Sequence, residues 1–133
     1  MTNVSSVENN ITERVYKLVQ AYVFRKTESK SGIKWDDFKN RKVKDPNTNR
    51  ERIDVPQRYR EAREKVCMDA FLRFRACHAK EDFVSYFTGT ICSVPHYLPE
   101  AEYQTVADTI LSDVRWEEVK ALAMLALSSF SRV

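Results

Sequence analysis

The chain has 133 residues, with 22 Lys+Arg against 19 Asp+Glu for a net charge of +3, 43% hydrophobic and 31% charged residues, two glycines and four prolines. That length holds one domain and excludes a multi-domain enzyme, while the balanced charge and ordinary apolar fraction exclude a polyelectrolyte unfolded along its whole length. Two glycines offer almost no positive-φ turns, hairpin corners or phosphate-cradling loops. The expected fold is therefore all-α: a single-domain helical bundle of about five helices over residues 1–133, with a basic loop between the first two long helices.

Val7, Ile11, Val15, Leu18 and Tyr22 lie on one helical stripe widened by Val19 and Val23, which predicts a first helix from about Val7 to Thr27. Gly32 follows, and the polar stretch from Asp36 to Pro56 reads as an extended loop with short helical turns around Trp35 to Lys39, the basic loop spanning about 31–56. Pro56 suits the first turn of a second helix, since its missing N–H has no helical partner there; Tyr59, Ala62, Val66, Ala70, Phe74 and Cys77 carry that helix forward. Phe83, Val84 and Phe87 predict a shorter third helix, with Gly89 as a left-handed stop. Pro95 and Pro99 mark a connector. Tyr103, Val106, Ala107 and Ile110 predict a fourth helix, and Trp116, Val119, Ala123, Ala126 and Phe130 a fifth, which apolar neighbours on every side suggest is the most buried.

Cys67, Cys77 and Cys92 are odd in number, and the opening MTNVSSVENNITERV is polar, so a cytoplasmic protein with reduced thiols is expected rather than a secreted disulfide scaffold. The longest apolar run, Ala121 to Leu127, is far short of the roughly 20 residues a membrane span needs. No CxxC pair exists, and Cys92 with His96 gives one ligand pair where a structural zinc needs four, so no metal and no cofactor are expected. Cys67 and Cys77 sit on the apolar side of the second helix, where a thiol packs as a small hydrophobe. No GxSxG elbow, HExxH helix or Gly-rich oxyanion loop occurs, and Glu81–Asp82 and Glu117–Glu118 read as partners of helix N-termini, so no enzyme activity is expected.

Charge is divided unevenly. Between Arg25 and Lys65 stand 14 Lys+Arg and 8 Asp+Glu, a local +6; the remaining residues hold 8 cations and 11 anions, a balance of −3. Lys34, Lys39, Arg41, Lys42, Lys44, Arg50, Arg52, Arg58, Arg60 and Arg63 are the candidate contacts to nucleic-acid phosphate, a pattern that gives affinity through counterion release without reading base sequence. The alternative is a solvated loop balanced by Asp45, Glu51, Asp54, Glu61 and Glu64. Trp35 either stacks on an unpaired base or, beside Phe38, covers the core. Glu100, Glu102, Asp108, Glu117 and Glu118 are candidate contacts to basic protein partners.

The segment from Ala70 onward, above all DFVSYFTGTICSVP (Asp82 to Pro95) and WEEVKALAMLALSS (Trp116 to Ser129), resembles the C-terminal helical domain of a large subunit of type I CRISPR effector complexes of the B-like kind. The same resemblance covers the separate small subunit made from that coding region, and a chain with its own Met1 looks like that free form. The resemblance implies a non-catalytic subunit of an RNA-guided surveillance complex, present in more than one copy and touching the large subunit and the repeat backbone subunits. It implies contacts to the guide RNA–target DNA hybrid and the displaced strand. Two competing readings remain: a freestanding DNA-binding regulator whose second helix enters a major groove through Arg58, Arg60 and Arg63, and a pure assembly subunit that touches no nucleic acid.

Overall fold

The computed structural model describes residues 4–92 and 115–131. Among these, four α-helices and one small antiparallel sheet come in the order α1 (Val4–Ser31), a 3-10 turn (Trp35–Asp37), β1 (Lys42–Lys44), β2 (Glu51–Ile53), α2 (Gln57–Arg75), α3 (Lys80–Tyr86), a π turn (Phe87–Ile91) and α4 (Trp116–Ser131). The architecture is all-α apart from the two-stranded ribbon. The expected fourth helix around Tyr103 to Ile110, and with it Glu100, Glu102 and Asp108, lies outside the described residues.

Helix α1 outruns its expected end by one turn. Thr27 and Ser31 are buried on the side that carries Val19 and Val23, and the chain stops only where Gly32 adopts φ +73° and donates its N–H to the Glu28 carbonyl at 2.8 Å. Pro56 does precede α2, as its N-cap, with its carbonyl accepting the Arg60 N–H at 3.0 Å. Gly89 does not end α3. The helix widens into the π turn, in which the Cys92 N–H reaches the Phe87 carbonyl at 2.9 Å, and this wider turn lets Phe83, Phe87, Ile91 and Cys92 all be buried together.

The core lies where α1, α2 and α4 meet. Val15, Leu18, Val19, Tyr22 and Val23 pack against Val66, Cys67, Ala70 and Phe74, with Val119, Ala123, Ala126 and Leu127 closing the third side. An aromatic run then seals the α3 end: Phe74 to Tyr86 (ring centroids 4.9 Å), Phe74 to Phe83 (5.8 Å), Phe83 to Phe87 (5.5 Å, stacked) and Phe83 to Trp116 (5.7 Å). Helix α4 is buried along one stripe and not all round: Leu125 is 68% exposed. An apolar composition in this helix does not imply burial, because a single layer of neighbours covers only one face.

The segment expected as an extended loop is a hairpin. Its register pairs Lys42 with Ile53, Val43 with Arg52 and Lys44 with Glu51. The turn needs a left-handed residue, and Asn49 supplies it at φ +59° in place of glycine. The Asp45 N–H donates to the Arg50 carbonyl and the Asn49 N–H to the Asp45 carbonyl, both at 2.8 Å, while Asp45 Oδ1 accepts the Asn47 N–H at 2.8 Å. At the base, the Asp54 N–H donates to the Arg41 carbonyl at 2.7 Å.

Candidate nucleic-acid interface

The hairpin is held to the helices by a second, smaller cluster of rings. Trp35 lies 5.9 Å from Phe24, 5.1 Å from Phe38 and 6.2 Å from Tyr59, and Phe38 meets Tyr59 edge-on at 4.8 Å. Phe38 and Tyr59 are buried, and desolvation holds the Tyr59 phenol up at about 12 against the smaller pull of Arg63. Trp35 is half-buried and packs against these rings, with part of its surface still exposed. Its position is fixed from below by the 3-10 turn, where the Lys34 N–H donates to Asp37 Oδ2 at 3.0 Å and the Asp37 N–H returns to the Lys34 carbonyl at 3.0 Å.

On this platform the expected basic residues divide into three groups. Lys34, Arg41, Lys42, Lys44, Arg50, Arg52, Arg58 and Arg60 are exposed and have no carboxylate within 4.0 Å among the described residues. Lys39 is exposed but pairs with Asp36 at 3.0 Å. Arg63 is corrected: it is 4% exposed, with its guanidinium 5.8 Å from the centroid of the Tyr59 ring. Four residues beyond Tyr59, it shares the stripe of Tyr59, Ala62 and Val66, so helical periodicity alone assigns it to the inside. A major-groove reading through Arg58, Arg60 and Arg63 loses one of its three contacts.

The cations at the far end of α2 are used differently. Arg73 donates to Asp82 through both terminal nitrogens, at 2.6 and 3.1 Å, lies 5.0 Å over the Tyr86 ring, and reaches Cys77 Sγ at 3.3 Å. The Arg73 hydrogen bond is the main cause that holds the Asp82 carboxyl below the usual carboxylate range. Lys120 donates to the Cys77 carbonyl at 2.7 Å, satisfying a backbone acceptor just past the end of α2. Glu117 and Glu118 are exposed in the first turn of α4 beside this end, as expected of dipole partners. Helix α2 thus separates an end whose exposed cations have no carboxylate partner from an end where Arg73 is paired and Arg75 is exposed, over 19 residues or about 28 Å.

Cys67, Cys77 and Cys92 are free and buried, and burial pushes the thiols of Cys67 and Cys92 up to about 11 and about 12. Among the described residues no three His, Cys, Asp or Glu side chains gather as a metal site, and no helix is long and apolar enough to cross a membrane.

Fold and charge together define a helical domain with a stiff cationic ribbon at one extremity. The chain belongs to the type I-B CRISPR Cas8b C-terminal domain family, whose model matches residues 1–130. It is accordingly a component of a type I-B CRISPR Cascade complex, the assembly its sequence resemblance pointed to. No curated protein and no solved structure matches the chain.

Proposed function

We propose that this domain is a non-catalytic element of the Cascade complex that stabilises the R-loop through sequence-independent contacts to phosphate. The observation that carries the reading is the cluster of eight exposed cations, without carboxylate partners among the described residues, gathered at one end of a domain of the Cas8b family. Exchange of a DNA duplex for an RNA–DNA hybrid is nearly balanced in energy, so a few backbone contacts shift it. Lys34, Arg41, Lys42, Lys44, Arg50, Arg52, Arg58 and Arg60 supply those contacts to the displaced strand or the hybrid. The opposite end, with Glu117 and Glu118 exposed, meets the large subunit, the repeat backbone subunits or further copies of the domain in a cytoplasmic ribonucleoprotein.

Replacing Arg41, Lys42, Lys44 and Arg52 by alanine tests the reading in assembled complexes. Four contacts to single-stranded backbone contribute about 0.7 each to the dependence of log K on log salt, so the slope should flatten by about 2.8 and R-loop yield should fall. Base preference should stay as it is, because phosphate carries no sequence information. An unchanged slope with an unchanged R-loop yield would leave the domain as an assembly subunit without nucleic-acid contact.

A further inference from the structure

We infer that the β1–β2 ribbon sits between two phosphate backbones, with Lys42 and Lys44 on one strand and Arg52 on the other, and so keeps apart two strands that would otherwise pair. The inference rests on the phosphate-binding reading and goes beyond it in assigning the two faces of the ribbon to different strands.

The register carries the argument. Side chains alternate along a strand and cross-strand partners share a face, so Lys42, Lys44, Glu51 and Ile53 lie on one face and Val43 and Arg52 on the other. A ribbon made to lie on the helical body would collect its apolar residues on one face. Here Val43 and Ile53 are on opposite faces, each half-buried, and Lys42, Lys44 and Arg52 are all exposed. Neither strand packs extensively on a helix; each has the other as its main neighbour. Each face consequently presents at least one exposed cation to a ligand.

Lys42 and Lys44 stand two residues apart, about 6.8 Å along an antiparallel strand. Both ammonium groups stand on one face of the ribbon, so the pair can reach one phosphate backbone. The ribbon is also stiff enough to keep two strands apart: its turn is tied by the Asp45, Asn47 and Asn49 hydrogen bonds, its base is clamped between Asp54 and Arg41, and its root is fixed on Trp35, Phe38 and Tyr59. Arg50 at the tip and Arg41 at the base extend the cationic edge at either end.

Salt-titrated binding of the full chain to three probes tests this: a single DNA strand, a DNA fork with two unpaired arms, and a fork with one RNA arm. On a fork the Lys42→Ala/Lys44→Ala pair should flatten the slope by about 1.4, Arg52→Ala by about 0.7, and the triple variant by about 2.1. On the single strand the triple variant should lose no more than about 1.4, because one strand occupies one face. Additive losses on the all-DNA fork, on the fork with an RNA arm, or on both support the spacing role and say which pair of strands is separated. A loss of about 2.1 on the single strand as well means that one strand wraps both faces, which overturns the spacing role and leaves phosphate binding intact. Unchanged slopes on all three probes overturn both.

Discussion

The two ends of α2 carry similar residues to opposite purposes. At its C-terminal end Arg73 is held by Asp82, Tyr86 and Cys77, and Lys120 by the Cys77 carbonyl, so these two cations are committed to joining α2, α3 and α4, while Arg75 in the same turn stays exposed. At its N-terminal end Arg58 and Arg60 stand exposed, as do Lys42, Lys44 and Arg52 of the ribbon that precedes it, with backbone hydrogen bonds taking the structural role that side chains have at the other end. A cation committed to a clasp is not available to a ligand, and a cation freed from structural duty needs another device to hold its backbone still. Here that device is the Asp45–Asn49 turn and the ring cluster beneath it.

Four changes probe this contrast. The largest effect should come from the aromatic seal. Phe83→Ala removes a ring with no exposed area that touches Phe74, Phe87 and Trp116, and truncations of this kind cost about 3–5 kcal/mol. Urea unfolding should show that loss, and the salt dependence of nucleic-acid binding by the folded fraction should stay as it was. A smaller effect, present near neutrality and lost in acid, should result from Asp82→Asn. The native Asp82 pKa is depressed by Arg73, so the pair adds stability above the unfolded carboxylate value, and this is lost as pH falls through the native pKa. Thermal midpoints measured from pH 7 downward should show the variant below wild type near neutrality, with the two converging in acid. The smallest effect on binding should be that of Arg63→Met, which removes a charge from the basic segment without removing one from its surface. Its salt slope should equal that of wild type, whereas Arg60→Ala should flatten the slope by about 0.7 on a single strand.

The helices were legible because their signal repeats. Ile11, Val15, Leu18 and Tyr22 of α1 and Tyr59, Ala62, Val66, Ala70 and Phe74 of α2 are all buried at helical spacing, and a period of 3.6 accumulates over many turns. The ribbon was not, for two reasons. Each strand is three residues long with one apolar residue, Val43 or Ile53, too few for an alternation to show. The low glycine count argued against tight turns, yet Asn49 took the left-handed position and Asp45-Pro46-Asn47 completed the turn. At the candidate interface, local charge density found the exposed cations but could not tell Arg60 from Arg63; the stripe set by Tyr59 could have done so. The widening after Tyr86 left no mark in the spacing of Phe83 and Phe87, which are four apart in a regular helix as well.

That widening lets the chain absorb a change of length at one place. From Phe87 to Ile91 the backbone takes one residue more per turn than the helix before it, and the phase so gained presents Ile91 and Cys92 inward. Loss of a single codon there would return the turn to the regular coil with the downstream phase nearly kept, whereas loss of one in α3 before it would rotate the downstream backbone by about 100°. Homologous sequences should accordingly show a one-residue gap within Phe87–Ile91 more readily than within Lys80–Tyr86.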